Sequence, residues 1–200
     1  MTIGIDSSSH YARFKEELSD ALESLNVTAR SGETIENEKA FALLCGKSKA
    51  VADKGRSQFL CGNGASAAFS NHMALDFTKN AGVPTLSFSD SALLTAMGND
   101  LGYEKAFSAP LSWYAKSGDM LITVSSSGSS PNIISTIEVA RSKGMEVVTF
   151  SGMENDNRSR LMGDLNFYVP AKTYGIVESA HQALLHVWLD KYMGIDYSAY

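Results

Sequence analysis

Five short β-forming runs alternate with helical stretches after residue 57, and this alternation constrains the fold more than any other feature of the sequence. The runs are almost continuously apolar, and the segments that join them are long enough for helices. Strands of this kind, joined by helical crossovers, form parallel sheets that are covered on both faces. We therefore expect an α/β fold, a three-layer α/β/α sandwich with a five-stranded parallel sheet. The predicted strands are 58–61, 85–88, 120–125, 146–150 and 165–169.

Amphipathic helices are predicted before and after the sheet. Apolar residues recur at helical spacing over 11–25, behind Ser7-Ser8-Ser9 as a candidate N-cap, and again over 41–51 in a helix that begins near Thr34. A last helix is predicted over 178–193.

The chain is expected to form a single domain over residues 1–200. It has no internal repeat, low-complexity segment or linker that would divide it. The expected parts of this domain are a helical extension over 1–56 and an α/β core over 57–200.

Composition and charge exclude several classes of protein. Against 22 Asp and Glu the chain has 17 Lys and Arg, a net charge of −5 that argues against nucleic-acid binding. Its apolar runs are shorter than the roughly 18 residues of a membrane span, and its start lacks a signal-peptide pattern, so the cytoplasm is expected. Cys45 and Cys61 lack CxxC spacing, and buried reduced thiols are predicted.

Two turns that follow predicted strands are candidates for ligand binding, since ligands of open α/β sheets bind at the carboxyl ends of the strands. The first is Cys61-Gly62-Asn63-Gly64-Ala65-Ser66, where the glycines permit close approach of a ligand to the backbone. The second is the hydroxyl-rich run Ser125-Ser126-Ser127-Gly128-Ser129-Ser130, which leads into a helix. The alternative for each is a polar turn without a ligand.

The second turn predicts an uncharged phosphate cradle. Its hydroxyls and backbone amides can donate hydrogen bonds to an anion, and the dipole of the following helix adds attraction. The run lacks the GKS/T ending of an ATP-binding loop, and neither turn completes GxGxxG. A phosphate monoester is therefore favoured over a dinucleotide.

Four motifs in order along the chain carry a family resemblance. They are Gly62-Asn63-Gly64-Ala65-Ser66, then Gly98-Asn99-Asp100, then the serines of 125–130, and a last helix with Glu178, His181 and His186. This set resembles the SIS, or sugar isomerase, domain, which implies a flavodoxin-like sheet. More narrowly it is similar to the phosphoheptose isomerase branch, which converts sedoheptulose 7-phosphate to a glycero-manno-heptose 7-phosphate.

The resemblance implies roles for individual residues. It assigns the phosphate to the serine loop and the sugar to the first turn and the Gly-Asn-Asp motif. The implied substrate-binding residues are Asn63, Ser66, Asp100, Ser125, Ser126, Ser127 and Ser130.

The resemblance also implies an acid–base set. His72 and Asp76 share one helical face, and Glu178 and His186 are eight residues apart, so their directions differ by about 80°. The family has Glu at Asp76 and Gln at Glu178. Asp76 and His186 are the implied acid–base pair of an enediol mechanism, with Glu178 as substitute base.

Two histidines and two carboxylates are also ligands that suit zinc, which some isomerases of this branch bind. His72, Asp76, Glu178 and His186 are accordingly the predicted zinc ligands. The alternative is a solvated helix face at His72 and Asp76, with a core histidine at His186. His181 is interpreted as a supporting residue of the site or an interface residue. Residues 152–158 follow a predicted strand and are interpreted as a surface loop, with an edge of the site as the alternative.

The expected function is that of a sugar-phosphate aldose–ketose isomerase. Family members are typically homotetramers with active sites between subunits, so the helices of 1–56 are expected to take part in oligomerisation. One alternative is an isomerase of a different sugar phosphate. The other is a noncatalytic SIS protein, a phosphosugar-binding or replication-initiator-binding assembly factor.

Overall fold

The computed structural model describes residues 9–199, which form helices on both sides of a single mixed sheet. The described helices are α1 (His10–Glu23), α2 (Asn37–Asp53), α3 (Ala65–Lys79), α4 (Ser91–Asp100), α5 (Ser108–Tyr114), α6 (Pro131–Ser142) and α7 (Tyr174–Met193). The described strands are β1 (Asn26–Ala29), β2 (Thr34–Ile35), β3 (Gln58–Gly62), β4 (Thr85–Ser87), β5 (Met120–Ser125), β6 (Glu146–Gly152) and β7 (Leu165–Val169). Short 3₁₀ turns occur at Tyr103–Lys105, Ser159–Leu161 and Tyr197–Ala199.

The sheet confirms the predicted fold class and adds two strands to it. Its order is β2-β1-β7-β6-β5-β3-β4. The five predicted strands, β3 to β7, pair in parallel, whereas β1 pairs antiparallel with β7 and with β2. The predicted count of five strands is therefore wrong. Because β1 and β2 have only 4 and 2 residues, they are too short for a periodic pattern to reveal them.

The ends of the first two helices also differ from the predictions. Helix α1 ends at Glu23, before β1, and α2 begins at Asn37, after Thr34 has entered β2. Its N-cap is Glu36, whose carboxylate accepts hydrogen bonds from the amides of Glu38 and Lys39, and these bonds lower the pKa of Glu36. Ser9 precedes α1, but its hydroxyl accepts from the Arg13 guanidinium instead of capping the helix; Ser7 and Ser8 lie outside the described residues.

Alternating strand residues face two separate cores, and this makes the three layers. In β5, Ile122 packs in the core that α2, α3 and α7 cover, and its neighbour Leu121 packs in the core that α5 and α6 cover. All six residues of β5 are buried. Cys61 is buried and Cys45 half-buried, and both are free thiols. None of the described helices combines the length and apolarity that a membrane span requires.

Trp188 of α7 is the largest side chain that is fully buried, and it joins three helices. Its ring lies against Phe77 of α3, with 4.1 Å between the ring centroids. Its Nε1–H donates to the Ser48 hydroxyl of α2 at 3.1 Å, and that hydroxyl donates to the carbonyl of Leu44. Trp188 therefore fixes α7 against α2 and α3.

Replacing Trp188 with alanine is expected to lower the free energy of unfolding by about 3–5 kcal/mol, because it leaves a large cavity among three helices. The matched control is Trp113→Ala, since Trp113 is 59% exposed and a surface truncation changes stability by about 0.5 kcal/mol. Urea unfolding followed by circular dichroism measures both. Equal losses in the two variants would contradict the packing role of Trp188.

Candidate active site

The serine-rich turn between β5 and α6 forms a cradle of hydroxyl and amide groups. Gly128 has a φ of +60°, a conformation that favours glycine and reverses the chain. Pro131 begins α6, and Ser130 is the N-cap, its carbonyl accepting from the amides of Ile133 and Ile134. The Ser130 hydroxyl makes no capping hydrogen bond, so it is available to a ligand beside the positive end of the helix dipole.

Ser126 provides the clearest sign that the cradle fits an anion. Its hydroxyl is buried and has no hydrogen-bond partner in the structure. A buried polar group without a partner costs about 1–3 kcal/mol. An acceptor oxygen in the cradle would remove that cost, and a phosphate has several.

Two turns and the start of α7 enclose a cavity of about 150 Å³ at the cradle. Gly62 brings α3 close to the sheet, since a Cβ at this position would lie 2.6 Å from Cβ of Ser66. The Thr173 hydroxyl caps α7 by accepting from the amide of Ile176, and the first turns of this helix place Tyr174 and Glu178 at the cavity. The cavity is lined by Asn63, Ser66, Ser125, Ser126, Ser127, Ser130, Tyr174 and Glu178.

The cavity thus gathers six of the seven predicted substrate-binding residues and one predicted catalytic residue. Tyr174 was missed, and the only signal for it is its position one helical turn before Glu178. Asp100, the seventh, lies at the exposed end of α4, where its carboxylate accepts from the Asn99 amide at 2.7 Å. It is not among the residues that line this cavity.

Asn63 holds the first turn against α6 as well as lining the cavity. Its Nδ2 donates to Oδ1 of Asn132 at 3.0 Å, and Nδ2 of Asn132 donates back to Oδ1 of Asn63 at 2.8 Å. The Tyr103 hydroxyl also donates to that oxygen, at 3.1 Å. The side-chain oxygen of Asn63 therefore already accepts two hydrogen bonds, and one N–H of its side-chain amide remains for a ligand. The sequence did not predict roles for Asn132 and Tyr103, because each contacts the first turn only through Asn63, which is far from both in the chain.

The second cluster of predicted site residues lies on the outer side of α3 and α7. Nε2 of His72 is 3.3 Å from Oδ2 of Asp76, and the rings of His72 and His186 lie 5.3 Å apart. Asp76 also accepts from the Asn80 amide at 3.4 Å. None of these three lines the serine cavity.

The predicted zinc set is not assembled at one point. Glu178 lines the serine cavity, whereas His186 lies beside His72. Glu178 and His186 point in similar directions around α7, but eight residues of α-helix separate them by about 12 Å along its axis. Within residues 9–199 no three His, Cys, Asp or Glu side chains form a group that could hold a metal ion. The four predicted ligands therefore do not fit one metal ion within the protomer.

His181 supports the cradle from beneath. It is fully buried in α7, and its Nε2–H donates to the carbonyl of Ser151, at 3.1 Å. Ser151 is paired in register with Ser125 across β6 and β5. His181 is therefore a supporting residue of the fold under the site, one of the two interpretations left open by the sequence.

The segment after β6 borders the cradle, which is the alternative to a plain surface loop that the sequence left open for 152–158. The amide of Gly152 donates to the carbonyl of Ser126 at 3.1 Å, and the amide of Ser159 donates to the carbonyl of Gly128 at 2.8 Å. The segment therefore fixes the cradle on its outer side.

Comparison with known proteins places this geometry in a family. The model of the SIS domain matches residues 14–152, from α1 to the end of β6. The chain belongs to the SIS domain family. The matched part includes the first turn, His72, Asp76 and the serine cradle, while Glu178 and His186 follow it.

Relatives within the SIS family carry the name phosphoheptose isomerase. That of Fusobacterium nucleatum is 33% identical over 145 residues, which is 70% of this chain and 74% of the relative. That of Burkholderia pseudomallei is 37% identical over 140 residues, 67% of this chain and 71% of the relative. The chain thus belongs to the phosphoheptose isomerase branch of the family.

Solved structures of phosphoheptose isomerases share the whole fold. The enzyme from Neisseria gonorrhoeae superposes with a TM-score of 0.79 at 23% identity, covering 92% of this chain and 96% of that one. The enzyme from Francisella tularensis gives a TM-score of 0.79 at 21% identity, covering 96% and 98%.

Protonation of His181 is expected to destabilise this SIS domain in acid. Burial lowers the pKa of His181 from 6.5 to about 4, while the bond to Ser151 opposes the shift. Between these values the unfolded chain binds the proton and the folded chain does not. The stabilisation is complete above about pH 6.5 and falls, by up to about 3 kcal/mol, as the pH decreases toward 4.

Urea unfolding between about pH 7 and pH 4.5 checks this expectation. The control is His181→Gln, which keeps an N–H donor for the Ser151 carbonyl but does not titrate. The variant should lose less stability than the wild type over this interval. Parallel curves for the two proteins would contradict the assignment of this titration to His181.

Proposed function

We propose that the chain is an aldose–ketose isomerase of sugar phosphates, which converts sedoheptulose 7-phosphate to D-glycero-D-manno-heptose 7-phosphate through an enediol. The observation that carries the proposal is the neutral cradle with its buried, unpartnered Ser126 hydroxyl. The relatives named phosphoheptose isomerase support the choice of substrate.

The phosphate binds at the N-terminal end of α6. The hydroxyls of Ser126 and Ser130 donate to its oxygens, because neither is used within the described structure. Neutral donors and the helix dipole balance the charge, since no Lys or Arg lines the cavity. Glu178 faces the same cavity and accepts hydrogen bonds from sugar hydroxyls.

Asp76 and His186 act as the acid–base pair. One takes the proton from the carbon next to the carbonyl, and the other moves a proton between the two oxygens. Their cluster with His72 lies on an outward face: the His72 side chain is 45% exposed, and the apolar neighbours Leu75 and Val187 are 59% and 37% exposed. A second protomer that covers this face would bring its serine cavity to the pair.

The proposed active site is therefore shared between protomers of a homotetramer, with residues 1–56 in the assembly and residues 57–200 as the α/β core of a single domain. The proposed acid–base steps use only side chains of the protein, and within one protomer the four predicted zinc ligands lie at two separate places. Zinc stays a prediction of the family resemblance. The predicted compartment is the cytoplasm.

The direct test is proton NMR of the purified protein with sedoheptulose 7-phosphate in D₂O. We expect an aldose phosphate product and solvent deuterium at the carbon next to the carbonyl, because the enediol exchanges its proton. Exchange without this product would indicate another sugar phosphate. The absence of exchange with a panel of ketose phosphates would favour the noncatalytic alternative.

Asp76→Asn and His186→Ala are expected to abolish turnover and to keep phosphate binding, since general acid–base catalysis contributes about 10²- to 10⁴-fold each. Glu178→Gln should keep measurable turnover, because the amide still has an acceptor oxygen. Initial rates and calorimetric titration with inorganic phosphate check the two properties. Full activity in Asp76→Asn together with loss in Glu178→Gln would make Glu178 the base.

Mixed oligomers test whether two protomers share the site. Ser127→Asp places a carboxylate in the cradle and should block phosphate binding, and His186→Ala removes the acid–base group. Differently tagged copies of these two variants are coexpressed and purified through both tags. The hybrids should regain part of the activity, because some cradles then face an intact His186. Inactive hybrids would indicate a site built within one protomer.

A further inference from the structure

Asn157 lies behind the cradle, outside the cavity, in the segment that joins β6 to the turn Ser159–Leu161. It is only 3% exposed, although its neighbours Asp156 and Arg158 are exposed. A buried asparagine in a connecting segment requires partners for its amide.

The Asn157 amide satisfies both of its ends within this segment and β6. Its Nδ2 lies 3.2 Å from Oγ of Ser151, 3.3 Å from the carbonyl of Gly152 and 2.8 Å from the carbonyl of Glu154. Its Oδ1 accepts from the Ser159 hydroxyl at 3.2 Å and from the amide of Arg160 at 3.1 Å. These bonds keep the segment folded against the end of β6.

The Asn157 side chain also contacts the cradle, at Gly128, whose positive φ favours glycine. A Cβ added to Gly128 would overlap Oδ1 and Cγ of Asn157 and lie 2.9 Å from its Cβ. The Asn157 amide thus occupies the space beside Gly128, and the adjacent Ser159 amide binds the Gly128 carbonyl. The Arg158 amide approaches the hydroxyl of Ser129, at 3.5 Å.

We infer that Asn157 is a positioning residue that sets the geometry of the phosphate loop through Gly128. The inference rests on the proposed function, since it takes the serine turn as the phosphate site. A cradle of neutral donors depends on placement, because it has no lysine or arginine whose charge acts over a longer distance. Rotation of the turn at Gly128 would move the donors on both sides of it, Ser126 and Ser130.

The test is Asn157→Asp, with Asn155→Asp as the matched control. The first variant has the same shape and keeps Oδ1, but replaces the donor Nδ2 with an oxygen that faces the carbonyls of Gly152 and Glu154. The second adds the same charge to the same segment, at an exposed residue whose carbonyl, not its side chain, makes the contact with Arg160. Calorimetric titrations with inorganic phosphate and with sedoheptulose 7-phosphate are compared, and KM and kcat are measured for the sugar phosphate.

We expect Asn157→Asp to weaken phosphate binding about tenfold or more, because small displacements of binding groups have effects of this size. KM should rise more than kcat falls, while Asn155→Asp stays close to the wild type. Wild-type affinity in Asn157→Asp, or equal losses in both variants, would overturn the role of Asn157. A wild-type protein that binds neither compound would overturn the proposed function itself, and this role with it.

A double-mutant cycle covers the case in which Asn157→Asp does not fold. Gly128→Ala and Asn157→Gly each disturb the contact from one side, and the cycle compares their phosphate dissociation constants with that of the double variant. Because both changes act on one contact, the combined loss should be smaller than the product of the two separate losses. Losses that multiply would show that the two residues act independently, and would overturn the inference.

Discussion

The parallel ladder of β3, β5 and β6 is the constraint on which the rest of the site depends. Its register sets Gly62 beside Val124, and Ser125 beside Ser151, so the turns that follow these strands leave the sheet at one edge. The first glycine turn, the serine turn and the segment of Asn157 therefore meet without any long connection. A change of register by one residue would turn alternate side chains to the other face and separate these groups.

Electrostatics give this site an unusual balance. The serine cavity has no basic side chain and one carboxylate, Glu178, which opposes a phosphate at close range. Attraction for a phosphate must therefore come from hydroxyls, amides and the dipole of α6. The strength of these interactions depends on distance and on exclusion of water. The burial of Ser125 and Ser126 excludes water. The hydrogen bonds that the cradle carbonyls accept from the amides of Gly152 and Ser159 fix the positions of the donors. Glu178 is then better suited to the hydroxyls of the sugar than to its phosphate.

What could be predicted from the sequence follows from the range of the interactions. The five parallel strands and the serine turn were predictable because an apolar run, a hydroxyl-rich turn and a helix signal adjoin one another in the chain. The hairpin of β1 and β2 was not, since its pairing with β7 depends on residues more than a hundred positions away. The roles of Asn132 and Asn157 were not predictable for the same reason, because Asn132 bonds to Asn63 and Asn157 packs against Gly128, both in other parts of the chain. The separation of the predicted zinc ligands within one protomer has a different cause: Glu178 and His186 are similar in direction around α7 but lie about 12 Å apart along it.

Helix α7 connects the serine cavity with the cluster of His72, Asp76 and His186, and its packing keeps the two apart within one protomer. Its first turns present Tyr174 and Glu178 to the cradle, and two turns later it presents His186 to the outer face. His181, between Glu178 and His186, and Trp188, just after His186, are both fully buried, which prevents the helix from rotating to bring both ends to one cavity. A protomer that keeps this packing must therefore leave Asp76 and His186 outside its own serine cavity. The packing that stabilises the fold thus leaves the proposed acid–base pair on the outer face, so the proposed assembly and the proposed chemistry depend on the same helix.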